Sequence, residues 1–122
     1  MAGSVVADTL QDGAGNSTSM DNAIFGSAKA WVQFTGSTAT KNASYNVSSV
    51  TRTSTGQYTI NFTNAFVDAN YVWAGNALSG SANAVILGNW SSNTNTASAA
   101  QITAFNYAAT NFDCTVGVAF FR

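Results

Sequence analysis

The sequence predicts an all-β fold, an antiparallel β-sandwich with jelly-roll-like character and about seven or eight short strands. Three observations carry this. The clearest apolar runs alternate with a period of two, turn-forming clusters recur at short intervals, and helical spacing is never sustained. With 122 residues there is room for one core, since single domains usually claim roughly 100 to 200 residues.

Taken in order, residues 1–25 read as an extended N-terminal arm and 26–122 as the sandwich head. The stretch QDGAGNSTSMDN, residues 11–22, holds no aromatic and little to bury. Before it, Val5, Val6 and Leu10 form a small apolar patch at an end that is otherwise polar, which nominates them as residues that dock on a neighbouring subunit. Residues 30–35 give the first strand of the head. Tyr45 and Val47 read as one alternating strand, and Tyr58, Ile60 and Phe62 alternate with Thr59, Asn61 and Thr63, one set for the core and one for water. Between these, Thr55-Gly56 marks a tight hairpin, because glycine accepts the positive φ such a turn demands. Residues 71–77, 84–90 and 101–107 carry further β-branched and aromatic runs. The last strand is marked by Cys114, Val116, Val118 and Phe120. Breaks fall at Gly36-Ser37-Thr38, at Gly80-Ser81-Ala82 and over residues 91–95.

Composition narrows the function. Charged residues are 7% of the chain and apolar ones 46%, so the polar surface is made of Asn, Ser, Thr and Gln. Soluble domains carry about a quarter charged residues, and little charge means little repulsion between copies. Much of the surface is therefore expected to be covered by partners. The net charge of −1, with Lys29, Lys41, Arg52 and Arg122 unclustered, argues against nucleic acid, whose binding runs on grouped Lys and Arg. No apolar run approaches the roughly 20 residues of a membrane span, so no membrane insertion is expected. Residues 1–10 lack the basic and apolar regions of a secretory signal, which implies synthesis in a cytoplasm. Cys114 has no partner for an intrachain disulfide and, inside an alternating run, reads as a buried inert thiol.

The chemistry of catalysis is thin. With no His and no Glu in the chain, Ser-His-Asp and Cys-His arrangements are impossible, as are zinc sites of the usual His and Cys type. Five Asp residues are present, but Asp8, Asp12 and Asp21 lie in the arm, and Asp68, before Ala69-Asn70, reads as a turn cap. Ser27 and Lys29 have the residue types of a Ser-Lys dyad without an indicated oxyanion donor. Asp12-Gly13-Ala14-Gly15-Asn16 is a fragment of a calcium loop that lacks the later glycine and the closing Glu. The five N-x-S/T triplets, at Asn16, Asn42, Asn46, Asn61 and Asn89, follow from an Asn-, Ser- and Thr-rich composition. The expectation is a non-enzyme without catalytic residues, cofactor or metal. One polar loop nominates a contact surface: Trp90 followed by SSNTN, where the ring would stack on a glycan while Asn89, Asn93 and Asn95 hydrogen-bond its hydroxyls; the competing reading is that Trp31, Trp73 and Trp90 are core or interface aromatics, the commoner use of such side chains.

Four segments, AKAWVQFTG (28–36), ASYNVSSVT (43–51), TGQYTINFTN (55–64) and DANYVW (68–73), are together similar to a recurring module of phage tail-fibre and other virion surface proteins from marine and freshwater bacteriophages. The similarity spans roughly residues 5–75, and Val6-x-Asp8-Thr9-Leu10-Gln11 resembles the stretch often found upstream. Where the module commonly has Met-Pro before the DANY turn, this chain has Phe66-Val67, which loosens that turn; Lys41 stands where it often has a basic residue. The resemblance implies a non-enzymatic, usually trimeric domain in the virion, made in the bacterial host cytoplasm, with other capsid or tail proteins as partners. Two roles are expected from it. One is a host-binding head at a tail-fibre or spike tip. The other is a capsid-decorating cement or knob protein anchored by its arm, which the lack of a fibre shaft within these residues favours.

Overall fold

A computed structural model describes residues 2–79, 85–89 and 94–122. The arm contains β1 (Thr9–Gln11), β2 (Ser17–Ser19) and α1 (Met20–Gly26). The head contains β3 (Ala30–Thr35), β4 (Thr40–Tyr45), β5 (Val47–Ser54), β6 (Gln57–Phe62), β7 (Val72–Leu78), β8 (Val85–Gly88), β9 (Ala99–Asn106) and β10 (Thr115–Phe121). All pairings are antiparallel. Two four-stranded sheets, ordered β4-β3-β10-β7 and β5-β6-β9-β8, make the all-β sandwich that the alternation predicts. The pairing is built from the hairpins β3-β4, β5-β6 and β8-β9, with β10 returning between β3 and β7. A jelly roll would instead pair the second strand of the head with the seventh; here β4 pairs only with β3.

The core lies between the sheets and is filled by alternate residues. From β3 come Ala30, Val32 and Phe34, from β6 Tyr58, Ile60 and Phe62, from β9 Ala100, Ile102 and Ala104, and from β10 Val116, Val118 and Phe120. Phe62 sits edge-on to Phe66, Tyr71 and Phe120, with centroids 4.7, 5.6 and 5.0 Å away, the arrangement that ring quadrupoles favour. Tyr71 reaches across to hand its hydroxyl proton to the Ala99 carbonyl at 2.9 Å, so its ring is buried without stranding its polar tip.

Two polar devices hold the layers in register. At the corner between β4 and β5, Asn46 takes φ 55°, a left-handed conformation that Asn tolerates better than most residues. Its carboxamide donates to the carbonyls of Lys29 and Asn64, both at 3.1 Å, and accepts from the Asn64 N–H at 2.8 Å. The chain changes sheet at this residue. Tyr45 and Val47, which the alternation joins in one strand, therefore belong to different sheets. The second device is Asp113, just before β10. It accepts from Arg52, from the Gly56 N–H at 3.0 Å and from the Tyr58 hydroxyl at 2.9 Å, tying β10's entry to the β5-β6 hairpin. Gly56 turns that hairpin with φ 67°, and a Cβ there would lie 2.7 Å from the Phe112 nitrogen, so both conformation and space require glycine.

The arm is more regular than the extended segment the composition suggests. Asp12 closes the β1-β2 turn by accepting from the Ala14 and Asn16 N–H groups, each at 2.9 Å, and Gly15 takes φ 89°. Ser19 then caps α1 through a 3.2 Å bond from the Asn22 N–H, the role Ser plays at helix starts. Sequence periodicity misses so short a helix, since seven residues make barely two turns. Residues 2–19 are all exposed, and no residue of α1 is buried.

Candidate functional site

The residues nominated from sequence fall in two places. In the β8–β9 connection, Trp90 and Asn93 lie outside the described residues. Asn89, directly after β8, accepts a 3.1 Å hydrogen bond from the Trp73 indole N–H, and Asn95 accepts from the Gln101 N–H at 2.8 Å. Both carboxamides thus bond at the feet of the connection, one to β7 and one to β9. Trp73 is half-buried against the core, as expected of a core aromatic.

The docking nominees lie on the arm. Val5 and Val6 are 86% and 97% exposed, and with Met20 and Ile24 they line a shallow trough of about 430 Å3 beside α1. Leu10, on β1, is also exposed but lines a separate hollow with Gln11 and Asn16. The structure therefore brings Val5 and Val6 to Ile24, and leaves Leu10 apart from them. Phe25, which sequence reasoning left out, is 67% exposed and lines a third hollow of about 380 Å3 with Phe66 and Val67 of the head. Its signal was an aromatic beside Ile24 at the arm's end, visible only once that segment is read as a helix.

The candidate catalytic fragments resolve into structural contacts. Lys29 Nζ does approach Ser27 Oγ, at 3.1 Å, but Ser27 Oγ donates to the Ala23 carbonyl at 2.7 Å and Lys29 also donates to the Ile24 carbonyl. The proton runs away from the lysine, opposite to the direction in which a base activates a nucleophile. The Asp12 carboxylate is occupied by donors of its own turn, including the Asn16 side chain at 2.8 Å, and those bonds hold it below its ordinary range. Among the described residues, no group of three or more His, Cys, Asp or Glu side chains comes together. Asp68 accepts from the Asn70 N–H at 2.8 Å, as a turn cap does, and also pairs with Arg122 at 2.7 Å. That pairing holds its carboxyl at about 2.

No helix among the described residues is long and apolar enough to cross a membrane. No protein-family profile, no curated protein and no solved structure matches this chain.

Proposed function

We propose that this chain is a non-catalytic structural domain of a bacteriophage particle, displayed on the virion surface as the trimeric, host-binding head of a tail-fibre or spike tip. The observation that carries the reading is the joining of a β-sandwich to an arm whose apolar side chains, Val5, Val6 and Ile24 in one trough and Phe25 in another hollow, remain on the surface. Apolar side chains left exposed on a charge-poor chain mark a surface made to be covered. The four segments that carry the module resemblance supply β3, the β4-β5 corner, the β5-β6 hairpin and the turn into β7, with Asn46, Gly56 and Asp68 at their bends. On this reading the arm faces the particle and the other copies, and the β8–β9 connection with Trp90 faces the host.

The arm also supports a second role, a cement or knob protein that decorates the capsid, its Val5–Val6–Ile24 trough clamped on a capsid subunit. Native mass measurement is expected to return three times the 12.6 kDa chain mass; a monomer at micromolar concentration overturns the trimer. Antibody labelling of intact particles separates the two roles: label at the tail tip supports attachment, label over the shell supports decoration, and unlabelled particles defeat both. In the attachment case Trp90→Ala is expected to slow adsorption to host cells.

A further inference from the structure

Alternation sends Trp31 and Gln33 of β3 to the outside of the β4-β3-β10-β7 sheet, because their neighbours Ala30, Val32 and Phe34 enter the core. Register then gathers them with residues distant in sequence. Trp31 lies opposite Tyr45 on one side and Ala119 on the other. In the adjacent row, Gln33 lies opposite Gly117, which lies opposite Asn76. Trp31, 40% exposed, thus stands beside a pair of carboxamides with small residues between them. Together they line an open trough of about 410 Å3 across β3, β10 and β7, within the range of about 300 to 1,000 Å3 usual for small-ligand sites, while Tyr45, 59% exposed, stands on the other side of Trp31, outside the trough. Gly117 is part of its shape: a Cβ there would lie 2.8 Å from Asn76 Oδ1, so the glycine lets the carboxamide lean across the floor.

The chemistry of the trough is specific. Strands β3, β7 and β10 carry no charged residue, and neither the Gln33 nor the Asn76 carboxamide has a hydrogen-bond partner among the described residues. The outward side of the other sheet carries Thr59, Asn61 and Gln101 among the described residues. We propose that the trough lined by Trp31, Gln33 and Asn76 is a binding site for a neutral oligosaccharide. A pyranose ring offers an apolar C–H face to an aromatic plane and a rim of hydroxyls that both donate and accept. Carboxamides match that rim, since each supplies two donors and an acceptor. A flat apolar partner would instead bury both carboxamides unpaired, which disfavours it. A second copy of the chain is the competing occupant. The site deepens the attachment reading and rests on it for its biological use, yet binding itself needs only the purified chain.

The test is calorimetric titration of the purified full chain with neutral gluco-, galacto- and manno-configured tetrasaccharides, alongside sialylated and sulfated ones. At least one neutral sugar is expected to bind, and Trp31→Ala to weaken it about tenfold or more, equivalent to ~1.4 kcal/mol. Trp31→Phe is expected to recover part of the loss, which a merely structural role would not predict. Gly117→Ala, which displaces the Asn76 carboxamide and leaves Trp31 in place, is expected to weaken binding at unchanged melting temperature. The proposal is overturned if no neutral sugar binds at millimolar concentration, if the charged sugars bind as well or better, or if Trp31→Ala binds like wild type. Self-association that Trp31→Ala abolishes, without sugar binding, assigns the face to a second copy. Sugar binding or its absence leaves untouched the antibody labelling that decides the virion reading, so the two fail separately.

Discussion

Arg52 on β5 grips both carboxylate oxygens of Asp113, through Nε at 3.0 and 3.1 Å and Nη2 at 2.7 Å, across 61 residues of chain. A fork of this kind is stronger and more directional than a single charge contact. It also completes the coordination of a carboxylate that already binds the Gly56 N–H and the Tyr58 hydroxyl. The clasp joins the first hairpin of one sheet to the last strand of the other.

Acid is expected to loosen this clasp. Hydrogen bonds from Arg52, then from Gly56 and Tyr58, hold the Asp113 carboxyl at about 2, against 3.8 for an ordinary aspartate. The unfolded chain therefore takes up the proton first as the pH falls. The stabilisation is fully present above about pH 4 and is lost as pH drops from there through about 2. Melting temperature should fall across that window. In Asp113→Asn it should start lower, by about 1–3 kcal/mol of stability at pH 6, and fall less steeply, with the remaining slope due to Asp68 and Asp12. An unchanged slope would show that the clasp adds nothing.

The Asn46 corner separates two effects that one substitution confounds. Asn46→Gly keeps the left-handed backbone accessible and removes three side-chain hydrogen bonds, an expected loss of about 1–3 kcal/mol by chemical denaturation. Asn46→Ala loses the same bonds and adds the strain of φ 55°, worth roughly another 1 kcal/mol. Equal losses in the two variants would show that the backbone conformation is not under strain.

Phe62 tests the core. It is 7% exposed and meets three other rings, so Phe62→Ala is expected to cost about 3–5 kcal/mol. A loss below about 1 kcal/mol would mean that the ring is not enclosed.

Cys114 should be silent to alkylation in the native protein. It is 8% exposed, and burial, with the Asp113 charge alongside, pushes its thiol up; since the thiolate is the nucleophile, iodoacetamide at pH 8 is expected to label it only after denaturant is added. Rapid native labelling would place the thiol at the surface.

Much of the head is visible locally, because alternation is written in consecutive residues. The runs at 30–35, 58–62 and 114–120 become β3, β6 and β10 within a residue or so, Gly56 turns the hairpin that Thr55-Gly56 marks, and Asp68 caps its own turn. Alternation fails where one residue changes the chain's direction, as at Asn46: Tyr45 and Val47 keep the pattern of a strand while pointing into different sheets. The arm's hairpin and helix escape for the opposite reason, since short elements held by Asp12 and Ser19 bury nothing and leave no apolar period to read.

What the sequence determined alone is the class of the fold, the charge-poor surface and the want of His and Glu, because these depend on composition and on neighbours two residues apart. Which outward side chains stand together was decided only by tertiary structure. Nothing in the order of residues says that Trp31 faces Tyr45 across one strand boundary, or that Gln33 and Asn76 flank Gly117. Strand register sets those neighbours, and register comes from how the whole core closes: a slip of one residue would turn every one of these side chains to the other face.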